Sequence, residues 1–267
     1  MPDTHRIPPG QSVDLTELST RGRDFHDDRK EAEREFESLR EELIELQNRL
    51  YAEGRRSLLI VLQAMDAGGK DSAIRRVFRG VNPQGVHVAS FKVPSTREMQ
   101  HDFLWRIHRE VPRRGMIGIF NRSHYEDVLV TRVEDLIPQG EWEGRFDHIN
   151  NFERLLFDSG TTILKFLLHI SKEEQHERFE QRLSHLEKHW KFSPLDFEKR
   201  QHWDGYMEAY ADVLARCNTE WAPWHVIPAD QKWYRNLAMS RTIVHTLREM
   251  NPQYPPPVEG IEEYRID

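Results

Sequence analysis

Asp66 and Lys70, with two glycines between them, stand at the centre of the run "LLIVLQAMDAGGKDSAIRR", Leu58 to Arg76. The apolar residues predict a strand, the small residues a loop, and the residues from Lys70 a helix. Gly68 and Gly69 let backbone N–H groups close on a phosphate, and the helix aims its positive end at the same point. Lys70 adds a mobile point charge. In the common loop of this kind, GxxxxGK, a Ser or Thr after the lysine binds magnesium. Here Ala64 takes the first glycine position and Asp71 replaces the hydroxyl residue. Asp66, at the end of the strand, offers a carboxylate instead, and magnesium accepts one or two carboxylates beside waters and phosphates. The loop Ala67, Gly68, Gly69, Lys70, Asp71, Ser72 would wrap the phosphate, with Asp71 expected to cap or brace the helix rather than bind metal.

A second group follows the strand predicted at Gly115–Phe120, in "GMIGIFNRSHYEDVLVTR". Asn121 stands where phosphate-loop enzymes often place a metal-binding aspartate. Arg122 offers a planar fork to phosphate oxygens, and Glu126 a second carboxylate. Taken alone, this is also a polar loop with Ser123 as a helix cap. A third group lies in "EEQHERFEQRLSHLEKHWKFSPLDFEKR". Arg178 and Arg182 share a helix face. Lys188, His189, Lys191, Lys199 and Arg200 follow, interleaved with Trp190 and Phe192 and broken by Pro194. Bases concentrated after an acidic stretch suggest a lid that closes over a polyanion. His185 and His189 share a face but lack a third ligand, so zinc is not expected.

These groups need a scaffold that brings them to one edge. Apolar runs at Ser57–Gln63, His87–Val93, Gly115–Phe120, Thr161–Ile170 and His225–Pro228 predict strands, and those such as "LLIVL" and "MIGIF" are apolar throughout, as expected when both faces are covered. Helical patterns intervene at Lys70–Gly80, Thr96–Glu110, Glu143–Ser159, Lys172–Leu186, His202–Cys217 and Gln231–Met250. The alternation predicts an α/β fold, a three-layer doubly wound parallel sheet with its site beyond the carboxyl ends of the strands. Residues 1–25 are expected as an irregular arm, 26–250 as one domain with a lid at about 178–204, and 251–267 as an extended tail. From His26 to Glu53, Ala32, Phe36, Leu39, Leu43, Leu46 and Leu50 form an apolar stripe on a charged helix. That stripe would pack on the chain's own core or across a subunit interface.

Composition narrows the function classes. The net charge of −7 over 267 residues argues against a general nucleic-acid binder, while local basic clusters still admit a polyanion. No apolar run has spanning length, and "MPDTHRIPPG" lacks the layout of a signal peptide. The single cysteine, Cys217, excludes an internal disulfide and fits a reducing, cytoplasmic setting.

The chain resembles the polyphosphate kinase 2 family from about Leu50 to Met250. The resemblance rests on "LYAEG", "LQAMDAGGKDSAIR", "GVNPQGV", "SFKVPS", "FLWRIH", "FNRSHYEDVLVTRV", "GTTILKFLLHISKEEQ", "KHWKF" and "APWHVIPADQKWYRN". It implies a P-loop kinase-like (thymidylate kinase-like) fold that uses inorganic polyphosphate and magnesium to phosphorylate nucleotides, with manganese as a substitute ion. By motif, Asp66 and Lys70 match the family's loop residues, Arg122 its second-strand arginine, and Arg178 or Arg182 its lid arginine. Asn121, Arg122, Tyr125 and Glu126 would face the nucleotide, and Asp66 and Glu126 the metal. Tyr125–Asp127 together with Asn121 resemble the subgroup acting on both AMP and ADP. Leu186 departs from a proline common in the family, which bears on the lid's hinge.

The expected reaction is in-line transfer from polyphosphate to AMP or ADP, giving ADP or ATP, with Lys188, Lys191 and Arg200 tracking the outer chain. Two rivals are an ATP-dependent nucleoside monophosphate kinase and a polyphosphate-binding protein without catalysis. A homo-oligomer, dimer or tetramer, is expected, with no membrane or nucleic-acid partner.

Overall fold

A computed structural model describes residues 4–191 and 193–266, Lys191 by its backbone alone. Five strands form one parallel sheet in the order β2-β3-β1-β4-β5. They are β1 (Ser57–Gln63), β2 (Val86–Ser90), β3 (Ile117–Asn121), β4 (Thr161–His169) and β5 (Trp224–Pro228). β1 lies at the centre, and every one of its residues is buried. Such a strand cannot alternate polar and apolar residues, because helices cover both of its faces.

One face carries α1 (Arg29–Glu53), α2 (Lys70–Val77) and α9 (Lys232–Met250). The other carries α4 (Glu126–Val133), α5 (Gln139–Asp158) and α8 (Trp203–Arg216). The fold is therefore the expected three-layer, P-loop kinase-like α/β architecture. α1 starts where the Asp28 carboxylate accepts the Lys30 and Glu31 amides, and it stops at Gly54, in the left-handed region at φ 63°. Its stripe, Ala32 to Leu50, is buried within this single chain, and the helix packs along α9. Ion pairs Glu35–Arg241 and Glu42–Arg248 line the rim of that seam.

Two elements differ from the expectations. Thr96–Glu110 is not a continuous helix but a loop with a 3₁₀ turn at Glu98–Gln100 and one α turn, α3 (Trp105–His108). Arg106 explains the break: it is buried, donating to Lys92 O at 2.7 Å and to Asp127 Oδ2 at 3.4 Å, which holds the loop against α4. Conversely, the β-branched run "EDVLVTRV" forms α4, because buried Val128 and Leu129 follow buried Tyr125 by three and four residues, a helical spacing. Here tertiary packing overrides propensity.

The described segment before α1 holds one 3₁₀ turn, Gly22–Asp24, and it is docked. Ile7 N donates to Trp224 O at 3.0 Å and Val226 N to His5 O at 2.9 Å, an antiparallel pairing along the outer side of β5. Ile7 and Leu15 are buried, and Leu15 O accepts from His169 Nε2 at 3.0 Å. The covered edge is thereby protected from pairing with other chains. Beyond β4 come α6 (Lys172–Ser184), a 3₁₀ turn at Leu186–Lys191, and α7 (Pro194–Gln201), which make up the segment expected as a lid. Among the described residues, no helix is long and apolar enough to cross a membrane.

Candidate active site

The chain leaves β1 at Gln63 and turns sharply before α2. Two residues of that turn take left-handed backbone, Ala67 at φ 62° and Gly69 at φ 98°. Alternating hands in this way gathers successive N–H groups into an anion-binding concavity. Gly68 is required for a different reason: a Cβ there would lie 2.5 Å from Ala64 Cβ and 2.8 Å from Met65 O. Lys70 opens α2 with its side chain folded under the loop, donating from Nζ to Ala64 O at 2.8 Å. Burial, followed by the Arg122 charge, lowers its pKa to about 8 against the pull of Asp66, Glu126 and Asp71.

The end of β3 is tied to this loop by two contacts. Asn121 Nδ2 donates to Asp71 Oδ1 at 2.7 Å, so Asp71 joins α2 to β3. Arg122, itself left-handed at φ 61°, reaches Asp66 Oδ1 from Nη2 at 2.6 Å and Glu126 Oε2 from Nη1 at 3.6 Å. Burial works against the Arg122 charge, but the Glu126 and Asp66 carboxylates outweigh it and raise its pKa. Asp66, Arg122 and Glu126 line one cleft, walled by Tyr206, Tyr210 and Lys199. Lys199 also pairs with Glu134 at 3.1 Å.

α6 clamps the loop from the β4 side. Gln175 Nε2 donates to Asp66 O at 2.9 Å, and Arg178 Nη1 to Ala67 O at 2.9 Å. Arg178 is otherwise held by Glu174 at 2.7 Å, Ala229 O at 2.6 Å and Asp230 O at 3.2 Å. Its place is thus behind the loop, bracing backbone carbonyls, not over the cleft as a lid arginine would stand. Arg182 turns into the lid segment, pairing with Asp196 at 2.9 Å. Arg200 donates to Lys172 O and Gln175 Oε1, both at 2.8 Å, and so packs α7 on α6. Lys188 is partly exposed and helps to lower the Lys232 pKa, after burial, Arg178 and Arg235. The Lys191 side chain lies outside the described residues.

Tyr125 sits apart from the other residues expected at a nucleotide. It is fully buried, donating to Glu153 Oε1 at 2.8 Å while Lys165 Nζ donates to its hydroxyl at 2.8 Å. Glu153 and Lys165 form an ion pair at 2.6 Å with neither side chain exposed. The phenol ring therefore belongs to the interior under α4 rather than to a ligand surface. Two α9 residues, Lys232 and Arg235, escaped the sequence reading although they lie within "ADQKWYRN". Arg235 donates to Gly69 O at 3.1 Å. The available signal was its spacing: Arg235, Met239 and Thr242 share a helix face whose members are all buried. A roomier groove of about 1150 Å³, lined by Trp105, Arg109 and His148, shares no residue with this cleft and has no phosphate loop.

Sheet order, loop and convergent cations define a P-loop kinase-like protein built to hold phosphates. The family model for polyphosphate kinase 2 matches residues 26–255. The chain belongs to that family. It is 56% identical over 229 residues to an AMP/ADP-polyphosphate phosphotransferase of Meiothermus ruber, covering 86% of each chain. It is 44% identical over 262 residues to an ADP-polyphosphate phosphotransferase of Rhodopseudomonas palustris, covering 94% of this chain and 91% of that one. The crystal structure of polyphosphate kinase 2 from Arthrobacter aurescens superposes with a TM-score of 0.93 at 38% identity, covering 98% of this chain and 94% of that one.

Proposed function

We propose that this protein transfers phosphoryl groups in line from inorganic polyphosphate to AMP and to ADP, giving ADP and ATP. The observation that carries the reading is the convergence of Asp66, Lys70, Arg122 and Glu126 on one phosphate loop and cleft. The names of the relatives from Meiothermus ruber and Rhodopseudomonas palustris support the donor and both acceptors.

The Asp66 and Glu126 carboxylates, set on either side of Arg122, fit a magnesium ion, which takes one or two carboxylates with waters and phosphates. Manganese, with the same preference for oxygen donors, would substitute. Among the described residues no group of three or more His, Cys, Asp or Glu side chains is placed to hold a metal, so the remaining ligands would be water and substrate. Magnesium bound there supplies charge neutralisation at the reacting phosphates.

The chain's own groups do the positioning. Lys70 lies against the loop and grips the phosphate end as a point charge. Arg122 swings from its carboxylate partners to the transferred group, where its fork meets equatorial oxygens. Lys199, at the cleft wall, adds positive charge from the lid segment. Asn121 fixes Asp71, so α2 holds its place as charge moves. No residue forms a covalent intermediate, because in-line transfer requires alignment and neutralisation rather than a protein nucleophile.

We further propose a cytoplasmic homo-oligomer, dimer or tetramer, that closes its lid segment over the bound polyanion. The deciding experiment supplies polyphosphate and magnesium with AMP or ADP separately, with a parallel arm of ATP, magnesium and AMP, and follows nucleotide products by anion-exchange chromatography. Formation of ADP and ATP is expected. Phosphorylation of AMP by ATP, with no product from polyphosphate, would instead establish an ordinary nucleoside monophosphate kinase. Polyphosphate binding without turnover would establish a binding protein.

A further inference from the structure

Arg235 is 1% exposed and points from the first turn of α9 at the back of the phosphate loop. Its Nη1 donates to Gly69 O at 3.1 Å and to Ser72 Oγ at 3.2 Å. Its Nε and Nη2 donate to Asn236 Oδ1 at 3.2 and 2.7 Å. All of these partners are neutral. Burial and then the neighbouring Arg178 charge lower the Arg235 pKa, to about 9, and no carboxylate opposes them. A buried guanidinium ordinarily has a carboxylate beside it, because an unpaired charge is costly away from water. Gly69 is shaped around this contact, since a Cβ there would fall 2.3 Å from Arg235 Nη1.

The geometry gives the contact a direction. In a trans peptide the carbonyl and the N–H point opposite ways. Gly69 O accepts the Ala73 N–H at 3.0 Å as the first hydrogen bond of α2, which turns the Lys70 N–H to the side where an anion would sit, and Arg235 holds the same carbonyl from the α9 side. Ser72 reinforces the hold, donating from Oγ to the same carbonyl at 2.9 Å. We propose that Arg235 is a positioning residue of the phosphate loop: together with the Ala73 N–H and Ser72 it holds the Gly69–Lys70 peptide toward the anion, and it leaves beneath that peptide a positive charge whose counter-charge is the bound phosphate. This rests on reading the loop as the phosphate site.

The test uses the full chain and tripolyphosphate, with affinity measured by calorimetry and unliganded stability by thermal unfolding. In Arg235→Gln, tripolyphosphate should bind about ten- to a hundredfold more weakly, the loss expected for a hydrogen-bonded charge. Its unliganded melting temperature should not fall, because an uncompensated buried charge has been removed. Arg235→Lys keeps the charge without the fork and should recover part of the affinity. KM for the nucleotide should change by less than about twofold in both, the loss residing in the polyphosphate term. A merely structural brace predicts the reverse: a lower melting temperature with unchanged tripolyphosphate affinity, which would overturn the inference. Should Arg235→Gln not fold, Arg235→Lys decides alone, and an affinity equal to that of the parent chain overturns it. If the parent chain itself does not bind tripolyphosphate, the reading of the loop fails, and the inference with it. Binding by the parent with equal binding by the variants removes the inference only.

Discussion

Raising the pH through about 8 should discharge Lys70 in the unliganded protein, since burial and Arg122 lower its pKa to that value from 10.5. Above it, each pH unit removes about tenfold of the charged form. The kcat/KM for polyphosphate should therefore fall by about tenfold per unit, because that parameter reports the free enzyme. The kcat should hold to higher pH, since a bound phosphate favours the ammonium form. Stability gives a second reading with its own sign. The folded pKa of about 8 lies below the unfolded value of 10.5, so unfolding takes up a proton between them. The native state then gains stability as pH rises through that window, by about 3 kcal/mol in all. Lys70→Met lacks this penalty and should exceed the parent at neutral pH by about 2 kcal/mol, after about 1 kcal/mol for the lost bond to Ala64 O. That advantage should disappear near pH 10.5. Initial rates at low polyphosphate and urea unfolding, both run across the window, check the two halves. A limb in kcat/KM that persists unchanged in Lys70→Arg, or a Lys70→Met variant less stable than the parent at neutral pH, would refute the reasoning.

Three further outcomes are expected. Arg122→Lys replaces a fork that spans Asp66 and Glu126 with a single ammonium, and steady-state kinetics should show kcat lower by roughly a hundredfold. Gly69→Ala forces a side chain into φ 98° and against Arg235, and urea unfolding should show a loss of about 1–3 kcal/mol together with weakened phosphate binding. Glu153→Gln leaves Lys165 buried and unpaired, which should cost about 3–5 kcal/mol, while the Glu153→Gln, Lys165→Met pair should cost less than the sum.

The strands, the loop and its residues Asp66 to Lys70 were legible because strand burial and glycine placement are local properties of the sequence. So was the approach of Arg122 to Asp66, once both were assigned to carboxyl ends of neighbouring strands. Arg178 was legible as a base but not as a brace, because its use depends on Ala67 and Ala229 carbonyls that only the folded chain brings to it. Tyr125 sits beside real site residues in sequence and yet faces the other way, into the Glu153–Lys165 pair. α4 was missed because its β-branched residues mask a helical spacing, and Thr96–Glu110 misled because Arg106 spends its guanidinium on a loop carbonyl. The docking of His5–Ile7 along β5 pairs backbone groups and rests on Tyr234 and Asn218, partners more than two hundred residues away, so no local pattern in the segment announces it.

That docking sets an order on how the molecule is made. His5 and Ile7 leave the ribosome well before their partners, Trp224 and Val226, which belong to β5. At about 5–20 residues per second, the interval is on the order of ten to forty seconds. Throughout it the nascent chain carries an unattached leading segment, and β4 waits without the neighbour that β5 will provide. The sheet is sealed only once Trp224–Pro228 has been made, so the period of exposure to mispairing is set by translation rather than by folding speed.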